Sequence, residues 1–155
     1  MRLLEGKVAI VTGAAQGIGR AIAEAYVEHG ARVLLGDINE EKLAETTSEI
    51  KEQFEDQAEY VVLDVSDEES VDAAVQAAVV KFGQLDIMVN NAAVLKAHLI
   101  VDFPLEEWQE IFRVNMEGTF LCSRAAARQM IQKETPGSIV NIASASARKA
   151  DSKHA

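Results

Sequence analysis

The segment Thr12-Gly13-Ala14-Ala15-Gln16-Gly17-Ile18-Gly19 holds the first residues whose types and spacing imply chemistry. A chain that passes from a strand into a helix through glycines leaves backbone N–H groups free at the positive end of the helix dipole, and that is an anion site. Glycine is required there because a side chain would collide with the turn, with a phosphate approaching the backbone, or with the neighbouring strand. Asp37 closes the next apolar run about twenty residues after Gly17, where a carboxylate accepts hydrogen bonds from both ribose hydroxyls of an adenosine. A charge at the start of the following helix is the plainer reading of the same residue. None of Gln16, Ile38 and Asn39 is basic. A 2'-phosphate would therefore meet Asp37 without a counter-charge, which favours NAD over NADP. Gly13, Gln16, Gly17, Ile18, Gly19 and Asp37 are the candidate dinucleotide contacts of this half of the chain.

The elements that must position these residues follow from periodicity. Lys7 to Val11 is a short apolar run that predicts a strand buried on both faces. Ile18, Ile22 and Ala25 recur at helical spacing until Gly30. Ala31 to Gly36 predicts a second strand, and Asn39 caps a helix with Glu40 and Glu41 in its first turn and Leu43, Thr47, Ile50 and Phe54 on its apolar face. Glu59 to Leu63 predicts a third strand. Ser66 with Glu69 reads as a capping box for a helix carrying Val71, Ala74, Val75, Ala78, Val79 and Phe82, with Gly83 as its stop. Leu85 to Val89 predicts a fourth strand running into Asn90-Asn91-Ala92-Ala93. One long helical region runs from about Leu105 toward Lys133, with Asn115 set into its apolar stripe, before Pro136-Gly137 breaks it. Ser138 to Ala143 predicts a fifth strand ending at Ser144; Ala145 to Ala155 carries no pattern. Five alternations of β and α without an internal repeat imply an α/β fold, a doubly wound parallel sheet joined by right-handed crossovers.

Composition narrows the function classes. At 155 residues and 48% apolar content the chain is one domain's length with enough apolar mass for a core. A formal net charge of -10 opposes a role in tracking nucleic-acid phosphates. The acids concentrate between Glu40 and Glu59 as a solvated face, and the segment from Arg124 to Ala155 is comparatively basic. Cys122 is the only cysteine, which excludes an internal disulfide, suits a reducing cytosol and leaves packing as its expected role. No apolar run approaches membrane-spanning length, and Glu5 and Lys7 interrupt any signal-peptide core, so a cytoplasmic protein without membrane partners is expected. His98 and His154 have no neighbours in sequence that imply metal or general-base chemistry and are expected at the surface; Trp108 is expected to pack. No metal site is expected.

Taken together, these residues resemble the short-chain dehydrogenase/reductase family, and the likeness covers almost the whole chain. Thr12 to Gly19 is similar to the family's Thr-Gly-x-x-x-Gly-x-Gly turn, and Asp64-Val65 to its adenine-ring contact. Asn90-Asn91-Ala92-Ala93 resembles its Asn-Asn-Ala-Gly, with Ala93 departing from that pattern as in some polyol dehydrogenases of the family. The resemblance adds Asp64, Val65, Asn91 and Ala92 to the cofactor contacts. It implies that Asn115 holds a water in a proton relay and that Ser144 polarises the substrate oxygen, so these are the candidate catalytic residues. Without the resemblance, Asn115 reads as a core amide and Asn90 and Asn91 as turn residues. The implied fold is Rossmann-like with strand order 3-2-1-4-5. The implied activity is NAD(H)-dependent interconversion of a secondary alcohol and a ketone, with a slight tilt toward sugar alcohols over 3-oxoacyl thioesters and other alcohols.

The family's reaction resembles a tyrosinate, acidified by a neighbouring lysine and the nicotinamide charge, exchanging the hydroxyl proton as hydride moves. Its Tyr-x-x-x-Lys motif follows the serine. Here the only tyrosines are Tyr26 and Tyr60, both upstream, and Lys149 and Lys153 precede the position the family's tyrosine would take. The expectation is a single dinucleotide-binding domain over residues 1–155, incomplete at its C-terminus and lacking the last two strands of the family fold. It would bind NAD with little or no turnover, and its unpaired sheet edge would promote association. The complete family form is expected to be a homo-oligomer acting on a small alcohol or ketone. The alternative is a non-catalytic dinucleotide-binding or interaction module pairing through that edge.

Overall fold

The computed structural model describes residues 2–134 and 136–144. Five parallel strands, β1 Val8–Thr12, β2 Arg32–Asp37, β3 Ala58–Val62, β4 Ile87–Asn90 and β5 Ser138–Asn141, form one sheet in the order β3-β2-β1-β4-β5. The expected strand order is thus the observed one. Residues 145–155, with Lys149, Lys153 and His154, lie outside the described residues.

β1 sits at the centre because every one of its side chains is apolar or satisfied and can be buried on both faces. Ala9 and Val11 point into the layer shared with Val33, Leu35 and Val89, which α1 (Gly17–Glu28) and α2 (Glu40–Gln53) cover. Val8 and Ile10 point into the opposite layer with Leu34 and Met88, beneath α3 (Glu68–Phe82) and α5 (Thr119–Gln132). Ile10 stands in register with both Leu34 and Met88, so one residue couples three strands. Each fully buried aliphatic side chain of this kind contributes roughly 1.5–3 kcal/mol. At the amino-terminal end of the sheet the buried Asp86 accepts hydrogen bonds from Val8 N (2.8 Å) and Gln84 Nε2 (2.6 Å), and Lys7 Nζ lies 3.3 Å from its other oxygen.

Several local expectations change. The buried positions of α1 are Gly19, Ala23 and Val27, one place on from Ile18 and Ile22 and two from Ala25. Only small residues fit where the helix abuts its own preceding turn, so the bulkier Ile18 is turned outward and is 64% exposed. α3 is capped by Asp67, whose carboxylate accepts from Glu69 N at 3.1 Å, instead of by a Ser66–Glu69 box; Ser66 Oγ donates to Asp64 Oδ1 at 2.7 Å. Asn39 and Gly83 act as expected, one accepting from Lys42 N and the other in the left-handed region at φ 88°.

The single helix expected after Leu105 is three pieces: α4 (Leu105–Ile111), a π-helical turn (Phe112–Gly118), and α5. Widened turns of this kind concentrate at functional sites. Here two contacts hold it: the Asn115 amide bonds to Val94, and Gly118 packs so closely on Val65 that an added Cβ would meet Val65 Cγ2 at 2.7 Å. Trp108 is half exposed, stacked on Phe112 with ring centroids 4.1 Å apart. With Leu105, Met116 and Phe120 they form an apolar stripe on the outer face.

Among the described residues β5 pairs with β4 alone, and Ile139, Val140 and Ile142 remain 37–42% exposed. Beside them, an open apolar depression of about 530 Å3 runs along Met130, Pro136, Gly137 and Ile139. No helix of the described residues is long and apolar enough to cross a membrane.

Cys122 packs in the core on the buried face of α5, and burial pushes its thiol up to about 12. The folded state therefore retains a proton that the unfolded chain releases near the ordinary thiol value of about 8.5. Folding stability tied to Cys122 is complete below that value and declines as pH rises through the interval up to about 12. Urea midpoints measured from pH 7 to 10.5 should fall more steeply above pH 9 for the parent than for Cys122→Ala.

Candidate cofactor site

The carboxyl ends of β1, β2, β3 and β4 converge on a cavity of about 750 Å3. Parallel strands flanked by helices place their loops there, which is where ligands of such sheets bind. Gly13, Gln16, Gly17 and Ile18 line one wall, Asp37 and Ile38 a second, Asp64, Val65 and Ser66 a third, and Asn91 to Val94 the fourth.

The glycine turn is held by its neighbours more than by itself. Gly13 (φ 65°) and Gly17 (φ 59°) occupy the left-handed region that favours glycine. Gly13 faces Ala92, whose Cα an added Cβ would meet at 2.9 Å, while Gly17 has nothing within 4 Å and opens onto the cavity. Gly19 does not line the cavity; it lets α1 press directly against the Gly13 carbonyl, a place where a Cβ has no room. Asn91 Nδ2 clamps the same turn, donating to Thr12 O (2.9 Å) and Gly13 O (3.1 Å). The buried Thr12 hydroxyl donates to Val89 O at 3.3 Å and accepts from Asn91 N and Ala92 N, each at 3.0 Å. Asn91 is therefore a brace between β1 and β4, a role its side chain does not reveal in sequence.

Capping separates α1 from α2 and α3. α2 and α3 have side-chain caps and two glutamates each in their first turns. α1 has neither: Gln16 makes no cap hydrogen bond and the first turn holds no acid. Its leading N–H groups face the cavity beside Gly17 with the dipole's positive end unopposed.

On the adenosine side, Asp37 accepts from Ala15 N (3.1 Å) and Asn39 N (3.0 Å), which fixes its carboxylate at the cavity lip. Asp64 Oδ1 accepts from Ser66 N and Ser66 Oγ. Gln16 Oε1 accepts from Lys42 Nζ at 2.8 Å. Lys42 lies three residues past Asn39 on the first turn of α2, and the fold brings its ammonium back onto the glycine turn at Gln16.

Asn115 bonds Val94 with both ends of its amide, Oδ1 accepting from Val94 N (2.9 Å) and Nδ2 donating to Val94 O (3.0 Å), and so fixes a cavity wall without lining the cavity itself. Asn90 is also engaged, with Nδ2 donating to Asn141 Oδ1 (2.7 Å) and Ser123 Oγ (2.9 Å), although its buried Oδ1 has no partner among the described residues. Ser144 is exposed beyond the carboxyl end of β5, at the same end of the sheet, but not among the residues lining the cavity. Tyr26 on α1 and Tyr60 on the outer strand β3 are likewise outside it. His98, expected at the surface, is partly exposed, pairs with Glu107 at 3.0 Å and meets the Phe103 ring edge-on. Sequence reasoning missed Glu110, Arg113 and Val114, whose i, i+3, i+4 spacing marks one helix face turned to the cavity.

The sequence matches the family described as short chain dehydrogenase over residues 7–154. The chain belongs to the short-chain dehydrogenase/reductase family. An uncharacterized oxidoreductase of Thermotoga maritima is 46% identical over 142 residues, 92% of this chain and 55% of that protein. A sorbitol dehydrogenase of Cereibacter sphaeroides is 42% identical over 96% of this chain and 56% of its own length. A short chain dehydrogenase/reductase from Burkholderia phymatum, crystallised with NAD, superposes with a TM-score of 0.93 at 31% identity, covering 99% of this chain and 54% of that one. The chain thus spans about half the length of these relatives.

Thr12→Val keeps the shape but removes the acceptor for two amides and a donor to Val89. Urea denaturation should show a loss of about 1–3 kcal/mol, several times that of Thr119→Val, whose hydroxyl bonds only Asn115 O.

Proposed function

We propose that this chain binds NAD(H) through the cavity above β1 and serves as the cofactor half of an oxidoreductase interconverting a secondary alcohol and a ketone. The uncapped N-terminus of α1, opening through Gly17 onto the cavity, is the observation that carries this reading. The amides of Gly17 to Gly19 would hold the pyrophosphate, Asp37 the ribose hydroxyls, and Asp64 with Val65 the adenine, while Asn91 and Ala92 keep the turn and the facing wall in place. When bound, the nicotinamide supplies the hydride acceptor or donor.

Ser144 is the proposed polarising hydroxyl for the substrate oxygen, and Asn115 the proposed holder of a relay water beside the Val94 wall. Tyr26 and Tyr60 both lie outside the cavity, so this reading assigns no tyrosine of residues 1–155 to proton transfer. General acid–base groups contribute about 10²–10⁴-fold, and residues 1–155 alone should bind NAD while turning over at least about a hundredfold more slowly than a relative of full length. The sorbitol dehydrogenase among the relatives supports a sugar alcohol as the first substrate class to assay. The lone cysteine supports a reducing, cytoplasmic setting. Alcohol oxidation by residues 1–155 at the rate of the full-length relatives would contradict the division of labour proposed here.

NAD is the proposed cofactor in preference to NADP: the Asp37 carboxylate, held at the cavity lip by the amides of Ala15 and Asn39, would accept from ribose hydroxyls and repel a 2'-phosphate. Calorimetric titration should give NAD a Kd at least about tenfold lower than NADP, a difference on the scale of one unscreened charge contact. Asp37→Ala should narrow that ratio, and Lys42→Gln should widen it by removing the nearby ammonium.

A non-catalytic module is the second reading, supported by the exposed Ile139, Val140 and Ile142 on β5 and by the stripe from Leu105 to Phe120. Both surfaces suit self-association. Sedimentation of residues 1–155 should show concentration-dependent dimers or larger species; a sharp monomer at all concentrations would argue against it.

A further inference from the structure

We infer that Arg113 is the base-covering residue of this site, its guanidinium lying over the adenine ring of a bound dinucleotide; the inference rests on the dinucleotide reading and deepens it. Among the described residues Arg113 is the one cationic side chain lining the cavity. The cavity's acids are already engaged: Asp37 by the amides of Ala15 and Asn39, Asp64 by Ser66, and Glu110 by Lys96 at 3.3 Å. Among the described residues no carboxylate stands within ion-pair distance of Arg113, so its donors and its planar face are open to a ligand.

The position of its stem selects the ligand's adenosine end. Gly118 packs on Val65, and Val114, the residue after Arg113, packs on the same cluster as Val65 and Leu63. Arg113 therefore rises beside the Asp64 to Ser66 segment, across the cavity from the glycine turn where the phosphates would bind. The wall there is apolar, formed by Leu63, Val65 and Val114, which suits one face of a purine. A guanidinium is planar, permanently charged and weakly hydrated, and it stacks on aromatic and base faces in a way an ammonium does not.

The test uses calorimetry on the purified protein with ADP-ribose and NAD, and inorganic pyrophosphate as a competitor, for the parent, Arg113→Ala and Arg113→Lys. Stacking predicts that Arg113→Ala weakens ADP-ribose and NAD about tenfold alike, that Arg113→Lys recovers little of the loss, and that pyrophosphate competition is unchanged. Thermal unfolding of the variants should match the parent, since the side chain is exposed. Parent-like ADP-ribose affinity in Arg113→Ala overturns the inference. So does full recovery by Arg113→Lys together with weakened pyrophosphate, which would make Arg113 a phosphate ligand. If the parent binds neither ADP-ribose nor NAD, the dinucleotide reading itself fails and this assignment falls with it; NAD binding that ignores Arg113 removes this assignment alone.

Discussion

The contact on which the site depends is the approach of α1 to the Gly13 carbonyl at Gly19, with the Asn91 amide bridging Thr12 and Gly13 from the side. No residue larger than glycine fits at 19, and the resulting closeness aims the first amides of the helix at the cavity instead of at a side-chain cap. The Thr12 hydroxyl supports this from beneath by collecting two amides from the strand-4 loop. The anion site proposed at this backbone would have no side chain that must reorganise when a ligand arrives, so its geometry would be set by folding itself.

The same logic extends outward through polar groups bound to backbone. Asn115 fixes Val94, Asp37 fixes Ala15 and Asn39, and Asp64 orders Ser66. The π-helical turn is the device that lets one helix serve three partners at once: Asn115 toward Val94, Gly118 toward Val65, and Glu110 with Arg113 and Val114 along the cavity. A regular helix would rotate one of these contacts away. The opposite side of that region is apolar and exposed, as is β5.

The alternation of strands and helices and the glycine turn were legible in sequence because each rests on local pattern: apolar runs, glycine positions, and the spacing from Gly17 to Asp37; the strand order was implied by the family resemblance alone. What was not legible depends on which side chains meet across the fold. Lys42 looks like an ordinary surface lysine until α2 folds back and lays it on Gln16. Asn91 looks like a turn residue until β1 and β4 are neighbours. His98 finds Glu107 only because the loop from Ala92 to Phe103 returns along α4. The register of α1 was misplaced for a related reason: periodicity ranks Ile18 as core, but close packing at the turn admits only Gly19 and Ala23, and the isoleucine is displaced to the cavity rim. The Asp67 cap was missed because Ser66 and Asp67 both suit an N-cap, and Asp64 captures the serine hydroxyl.

The central claim is that backbone amides at the start of α1 form the anion site of a dinucleotide cavity. Following backbone amide resonances during NAD titration tests it residue by residue. The account predicts saturable shifts at Gly17, Ile18 and Gly19, with a second group at Asp64 to Ser66, sharing one binding constant. Saturable binding that leaves the amides of Gly17 to Gly19 unmoved, or no binding at millimolar NAD, would contradict it.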